Sequence, residues 1–452
     1  MLPTNIIAKF RGSLLACTAL LGMSSVTIAG DAPSVLDIQH WETEQGAQVY
    51  FYPTSNLPMV DIRVSFDAGS ARDPEALEGT AALVSAMLTE GSDGQSASTM
   101  AYRFAELGAE ISTGVGSENA SVRLRSLSQS QYLNPAVSLF NKTLSAPNFA
   151  ADTFEREQRQ QLQSISARQQ SPRALAIDAL REVMFAGHPY AHPTTGTVES
   201  VERITLEDVQ DFYQRYYVAA NADVVIVGDV DRNQAEALAD SVLAGLPAGQ
   251  AAPALPEVSG LAESFVKHVP FPSEQSTVFV AYNGIARQHE DYFPLYVGNH
   301  IFGGGGFASR LNAELRQKRG LAYSVSSFLM PMRAGGVYAM SIQTRNDAVK
   351  EAVALMQTQL QAFIDQGPEA EELKDAIANI TGGFPLRLDS NSKITGQIGA
   401  LAFYGLPLDY FDQYVDHIRA VDSTAIQAAF AKHIDLDEVA VIVVGPEAPE
   451  QP

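Results

Sequence analysis

The chain has 452 residues, 46% of them hydrophobic and only 18% charged. That length allows two to three domains with large cores, and the composition excludes a disordered chain or a coiled coil. The formal charge of −22 argues against nucleic acid and anionic lipid as partners, and it suits solubility or a neutral or cationic peptide ligand.

The first segment reads as an export signal. Lys9 and Arg11 precede an apolar, small-residue run over residues 13–28, and Thr27-Ile28-Ala29 offers small residues where a signal peptidase prefers them. Gly22, Ser24 and Ser25 interrupt the run, which is short for a membrane span. Cys17 could mark a lipoprotein, but most of the apolar run follows it. Cys17 is the single cysteine, so removal of residues 1–29 leaves no disulfide, thiolate–zinc site or cysteine nucleophile. It also removes two cations and no acid, which moves the charge to about −24. The expected location is the bacterial periplasm, without stable membrane insertion.

Beyond the signal, the chain repeats itself. Residues 60–66 (Val-Asp-Ile-Arg-Val-Ser-Phe) alternate like a half-buried strand, then a small-residue turn leads to a long helical stretch. Ile204 to Val209 reads as a helix start, with Thr205 at the N-cap and Asp208 three residues on. Val224-Val225-Ile226-Val227-Gly228 reads as a buried strand. Residues 246–260 carry Pro247, Gly249, Pro253, Pro256 and Gly260, the composition of a semi-rigid linker. Then Thr277 to Tyr282, Val421 to Ile426 and Val441 to Gly445 restate the pattern, with equal spacing: 228 − 204 = 24 and 445 − 421 = 24. The expected fold class is α+β: two homologous α/β-sandwich domains from an internal duplication, each an antiparallel or mixed sheet covered by helices. The expected domains are 35–245 and 261–447, joined by the linker.

Two stretches carry candidate chemistry. Gly303-Gly304-Gly305-Gly306 lacks the Gly-Lys-Ser/Thr of a nucleotide loop and reads equally as a turn between helices. His188 and His192 have a metal-pair spacing on a helix, but Pro189 and Pro193 point to a structural turn. On residue type alone, Arg316 reads as a solvated helix residue and Tyr323 as a core strand aromatic.

The segments Ala68 to Pro74, Glu78 to Leu88 and Glu90-Gly91 resemble the first helix of the insulinase/pitrilysin metallopeptidase family, the inverzincins. That family carries His-x-x-Glu-His there, which puts two zinc-binding imidazoles and a general base on one helix face. Here the positions read Ala82, Ser85 and Ala86. The family's third ligand, a later Glu, falls on Gln163 or Ser164, with Glu157 matching an earlier supporting Glu. Leu107 to Ile111 and His188 to Thr197 keep the family pattern. So does Phe302 to Ser324, where the resemblance makes Arg316 and Tyr323 a pair that binds peptide carbonyls. It also links the run Gly303 to Gly306 to substrate recognition, by partial analogy with a processing-peptidase subunit. The resemblance spans residues 35–447. It implies a chain that binds no zinc and has no catalytic residue of its own. Its expected role is the substrate-binding subunit beside a homologous, zinc-bearing His-x-x-Glu-His partner, in a heterodimer acting on peptides. The alternative is a stand-alone peptide-binding or structural protein on the same fold.

Overall fold

The computed structural model describes residues 34–447. The expected signal, residues 1–29 with Cys17, lies outside the described residues.

The first sheet has six strands. β1 (Gln39–Glu42), β2 (Gln48–Pro53) and β3 (Met59–Phe66) come first. A short hairpin, β4 (Gly91–Ser92) and β5 (Gln95–Ser96), stands apart from the sheet. β6 (Glu110–Val115), β7 (Ala120–Leu127) and β8 (Ala222–Gly228) complete it in the order β1-β2-β8-β3-β7-β6. The second sheet contains β9 (Phe265–Pro270), β10 (Gln275–Gly284), β11 (Ala322–Pro331), β12 (Gly336–Arg345) and β13 (Ala440–Gly445). Its order is β11-β12-β10-β13-β9. Read backwards, that order matches β2-β8-β3-β7-β6 strand for strand. Each sheet is antiparallel except for one pair, β2 with β8 and β9 with β13. The duplication seen in the sequence is therefore a duplication of topology.

Helices cover these sheets. In the first half they are α1 (Thr80–Met87), α2 (Ala97–Glu106), α3 (Ser130–Ser145), α4 (Ala151–Arg168), α5 (Pro172–Met184), α6 (Val198–Arg203), α7 (Leu206–Tyr216) and α8 (Arg232–Leu243). In the second they are α9 (Tyr292–Asn299), α10 (Val349–Gln366), α11 (Ala370–Gly383), α12 (Asn391–Tyr404), α13 (Tyr410–Ala420) and α14 (Ser423–His433). Thr205 and Asp208 close the expected capping box on α7, and Asp422 caps α14 in the equivalent place. Nothing helical or extended lies between Leu243 and Phe265. One expectation is corrected: the helix after each first strand is short, eight residues in α1 and in α9. α1 gives way to Gly91 at φ +115°, and α9 passes into a π-helical turn, His300–Gly304, that ends in the glycine run.

The strands Val224 to Gly228 and Val441 to Gly445 are buried on both faces, for a reason outside their own halves. Val224 and Ile226 join the first half's core, with Val60, Ile62 and Val64. Val225, Val227 and Tyr50 join the second half's core, with Ile398 and Leu401 of α12. In the other direction, Phe279, Ala281, Ile442 and Val444 pack with Ala176, Ala179 and Leu180 of α5. Each half thus lends one helix to the outer face of the other's sheet. Small residues allow the approach: Gly399 of α12 lies where a Cβ would meet the Arg63 side chain at 3.2 Å.

A buried polar knot ties the halves as well. Glu118, in the β6–β7 turn and 7% exposed, accepts hydrogen bonds from Tyr190 OH (2.6 Å), the Arg333 backbone N–H (3.0 Å) and Tyr404 OH (3.1 Å). Arg333, in the β11–β12 turn, reaches back to Asp67 (2.6 Å) and stacks on Phe403 at 3.7 Å. Asp223 of β8 belongs to the same region. Burial, and then Asp67, push its carboxyl up to about 6 against the pull of Arg333 and Arg63. A carboxyl raised in the fold binds its proton more tightly there than in the unfolded chain. Its contribution to stability is complete below about pH 4 and is lost as pH rises through about 6. Asp223→Asn is therefore expected to match the parent at pH 4 and to exceed it by about 2 kcal/mol at pH 7.5, read from urea unfolding at both values. Equal differences at the two pH values would refute this.

Candidate functional site

In the first half, the α1 helix is held by other segments instead of a cap of its own. Its N-cap residue, Gly79, sits at φ +101°. A Cβ there would lie 2.7 Å from Gln161 Nε2 and 2.8 Å from the Thr195 carbonyl, so only glycine fits. The free N–H groups of Gly79 and Ala81 donate to the Asp73 carboxylate, both at 2.7 Å. Burial pushes Asp73 up to about 8, opposed by those two N–H groups. Gln161 of α4 donates to Gly79 O (3.0 Å) and Thr195 O (2.9 Å), and Ser200 Oγ donates to Glu78 O (2.8 Å). α1, α4 and the 193–200 segment form one frame.

The frame carries no metal chemistry at the expected positions. Ala82 and Ala86 are half-buried on α1 and Ser85 is buried, so its hydroxyl is the one polar group the three side chains offer. On α4, Glu157 is buried and paired with Arg156 at 3.2 Å, while Gln163 and Ser164 are exposed. A zinc ion does not fit this set: it offers no imidazole, and its one carboxylate, Glu157, is paired with Arg156. His188 and His192 take separate structural bonds. His188 Nδ1 accepts the Tyr190 N–H and its Nε2 meets Pro256 O at 2.9 Å, whereas His192 Nδ1 meets Ser70 O at 3.3 Å.

The second half holds the exposed chemistry. The glycine run divides in two. Cβ atoms on Gly303, Gly304 and Gly305 would strike Ser327, Asn299 and His300 within 2.4–2.6 Å, so these three serve close packing. Gly306, at φ +66°, faces open space and turns the chain into the 3₁₀ turn Gly306–Ala308. Arg310 then anchors the segment through a bidentate pair with Glu372 (2.7 and 2.5 Å). A second π-helical stretch, Asn312–Lys318, carries Arg316.

Tyr323 is no core aromatic. A bulge between Ala322 and Ser324 breaks the β11–β12 register at that residue and turns it outward, leaving it 80% exposed. Its ring centre lies 5.4 Å from the Arg316 guanidinium carbon. The ring centre of Phe307, itself 70% exposed, lies 4.6 Å from the same carbon. Two aromatic faces thus hold one guanidinium. Among the described residues, no hydrogen bond or ion pair engages it, so its N–H edges are free for a carbonyl or carboxylate. The structure brings Arg316 and Tyr323 together. Phe307 was missed, though an aromatic directly after a glycine run was a usable signal.

Comparisons with known proteins bear on the family of the chain. A family model described as insulinase (peptidase family M16) matches residues 51–198, and one described as peptidase M16 inactive domain matches 203–380. A crystal structure from Pseudomonas fluorescens, described as a peptidase M16 inactive domain, is 36% identical. It superposes with a TM-score of 0.88, over 92% of this chain and 100% of that one. A Helicobacter pylori protein named non-peptidase homolog YmxG is 26% identical over 412 residues, 90% of this chain and 94% of its own length. A Bacillus subtilis protein named uncharacterized zinc protease YmxG is 19% identical over 409 residues, 90% of this chain and 98% of that protein.

Proposed function

The chain belongs to the insulinase, or peptidase M16, family, and from that premise we propose that it is the non-catalytic, peptide-holding subunit of a periplasmic zinc metallopeptidase pair. The observation that carries the proposal is the free guanidinium of Arg316 against the rings of Phe307 and Tyr323, on a chain whose α1 positions 82, 85 and 86 lack every zinc ligand. A family fold that keeps a peptide-binding group and lacks the metal ligands is complementary to a homologue bearing His-x-x-Glu-His. In this role Arg316 donates to a backbone carbonyl of the peptide, and the aromatic faces fix the guanidinium in place before binding. The zinc and the general base belong to the partner. No helix among the described residues is long and apolar enough to cross a membrane.

Affinity purification of the tagged chain from its native host tests the pairing. A homologue bearing His-x-x-Glu-His is expected to come down with it, and peptide hydrolysis is expected from the pair and not from the chain alone. Hydrolysis by the isolated chain, abolished by a chelator, would sink the proposal. Tight peptide binding by the isolated chain, with no such partner recovered, would favour the stand-alone role.

A further inference from the structure

We infer that His289, Asp291 and His433 form a site for one divalent transition-metal ion of the zinc class, apart from the α1 face and independent of peptidase chemistry. These are the three described residues whose imidazole nitrogens and carboxylate oxygen come within 4.8 Å of one another. Asp291 Oδ2 lies 2.7 Å from His433 Nε2 and 3.7 Å from His289 Nδ1. Ligand atoms around tetrahedral zinc are spaced about 3.3–3.5 Å apart, from bonds of about 2.0–2.2 Å, so both distances lie within an ångström of the required edge. Two imidazoles and one carboxylate are a borderline-soft donor set, suited to zinc and unlike the all-oxygen set of calcium or magnesium.

The backbone holds these residues firmly. Asp291 directly precedes α9, and His433 is the last residue of α14. The two helices are in close contact: a Cβ on Gly298 of α9 would lie 2.4 Å from the Phe430 ring of α14. Asp291 stands at the N-cap of α9 but makes no side-chain cap bond; its carboxylate turns toward His433 and Lys432 instead. The two imidazoles meet edge to face at 4.6 Å. His289 also lines an open cleft of about 430 Å³, with Arg287, Phe293 and Tyr410, so solvent reaches the His289 side of the cluster.

Two exchanges accompany binding. Lys432 Nζ, 2.8 Å from Asp291 Oδ2, competes with the ion and has a second partner in Glu290 at 3.8 Å. The His289 Nδ1 lone pair, which accepts the Asp291 N–H at 3.0 Å, passes to the metal. The ion then clips the start of α9 to the end of α14. α9 leads straight into the glycine turn and the Arg316 segment, so the clip would steady the peptide-holding half.

The test uses the purified chain after chelator treatment, titrated calorimetrically with Zn²⁺ and by visible absorption with Co²⁺. One ion per chain is expected, with the absorption of four-coordinate Co²⁺ and a rise in the melting temperature. His433→Ala and Asp291→Asn are each expected to weaken binding on the order of a hundredfold. Lys432→Ala, at an exposed position, is expected to tighten it. The absence of stoichiometric binding, undiminished affinity in His433→Ala, or weaker binding in Lys432→Ala would each overturn the assignment. Because the readout is metal binding, it stands or falls separately from the pairing proposed above.

Discussion

Arg316→Ala is expected to lower kcat/KM of the reconstituted pair about 100-fold while leaving its assembly intact. Among the described residues the guanidinium has no hydrogen-bond or ion-pair partner to lose, only the exposed ring faces of Phe307 and Tyr323, so truncation costs little folding energy. It removes charged donors aimed at a carbonyl, and losing one such preorganised donor costs about 3 kcal/mol of transition-state stabilisation. Tyr323→Phe keeps the ring against Arg316 and removes only the hydroxyl. A smaller loss, about tenfold, is expected there. Peptidase kinetics on the purified pair, with gel filtration to confirm assembly, decide the matter. An unchanged kcat/KM in Arg316→Ala would remove this residue from the reaction.

The second large effect is on stability. Glu118→Ala strips the buried acceptor from the buried Tyr190 hydroxyl, the half-buried Tyr404 hydroxyl and the Arg333 backbone N–H. A fully buried orphaned donor costs about 1–3 kcal/mol and two of the three donors here keep partial access to water, so a total loss near the low end, about 3–5 kcal/mol, is expected in urea unfolding. Glu118→Gln keeps a carbonyl acceptor and should lose only about 1–2 kcal/mol. The exposed helical pair Arg203–Glu199 offers a control, since Glu199→Ala should change stability by about 0.5 kcal/mol or less. If the two alanine variants lost equally, the knot between the halves would be no stronger than a surface ion pair.

Much of the fold could be read in the sequence because its signals are local. The Thr205–Asp208 capping box, the alternation of Val60 to Phe66 and the two equally spaced valine-rich strands each depend on neighbours in the chain. What could not be read depends on distant ones. Burial of Val225 and Val227 was plain, but its cause, a helix 164 residues or more away, was not. The outward turn of Tyr323 comes from a bulge with no sequence mark. The weak cap of α1 is made good by Asp73, Gln161 and Ser200, three residues of ordinary type. His289 and His433 lie 433 − 289 = 144 positions apart, beyond any motif spacing.

The exchange of α5 and α12 between the halves also sets a timetable for the chain's synthesis. When the first sheet has emerged from the ribosome, the outward side of β8 still presents Val225 and Val227 to water. Its cover, residues 391–404, is made near the very end. The first half therefore cannot finish folding on its own schedule; it waits, incompletely covered, for almost the whole polypeptide. That delay makes residues 35–245 a poor candidate for an independent life as a smaller protein.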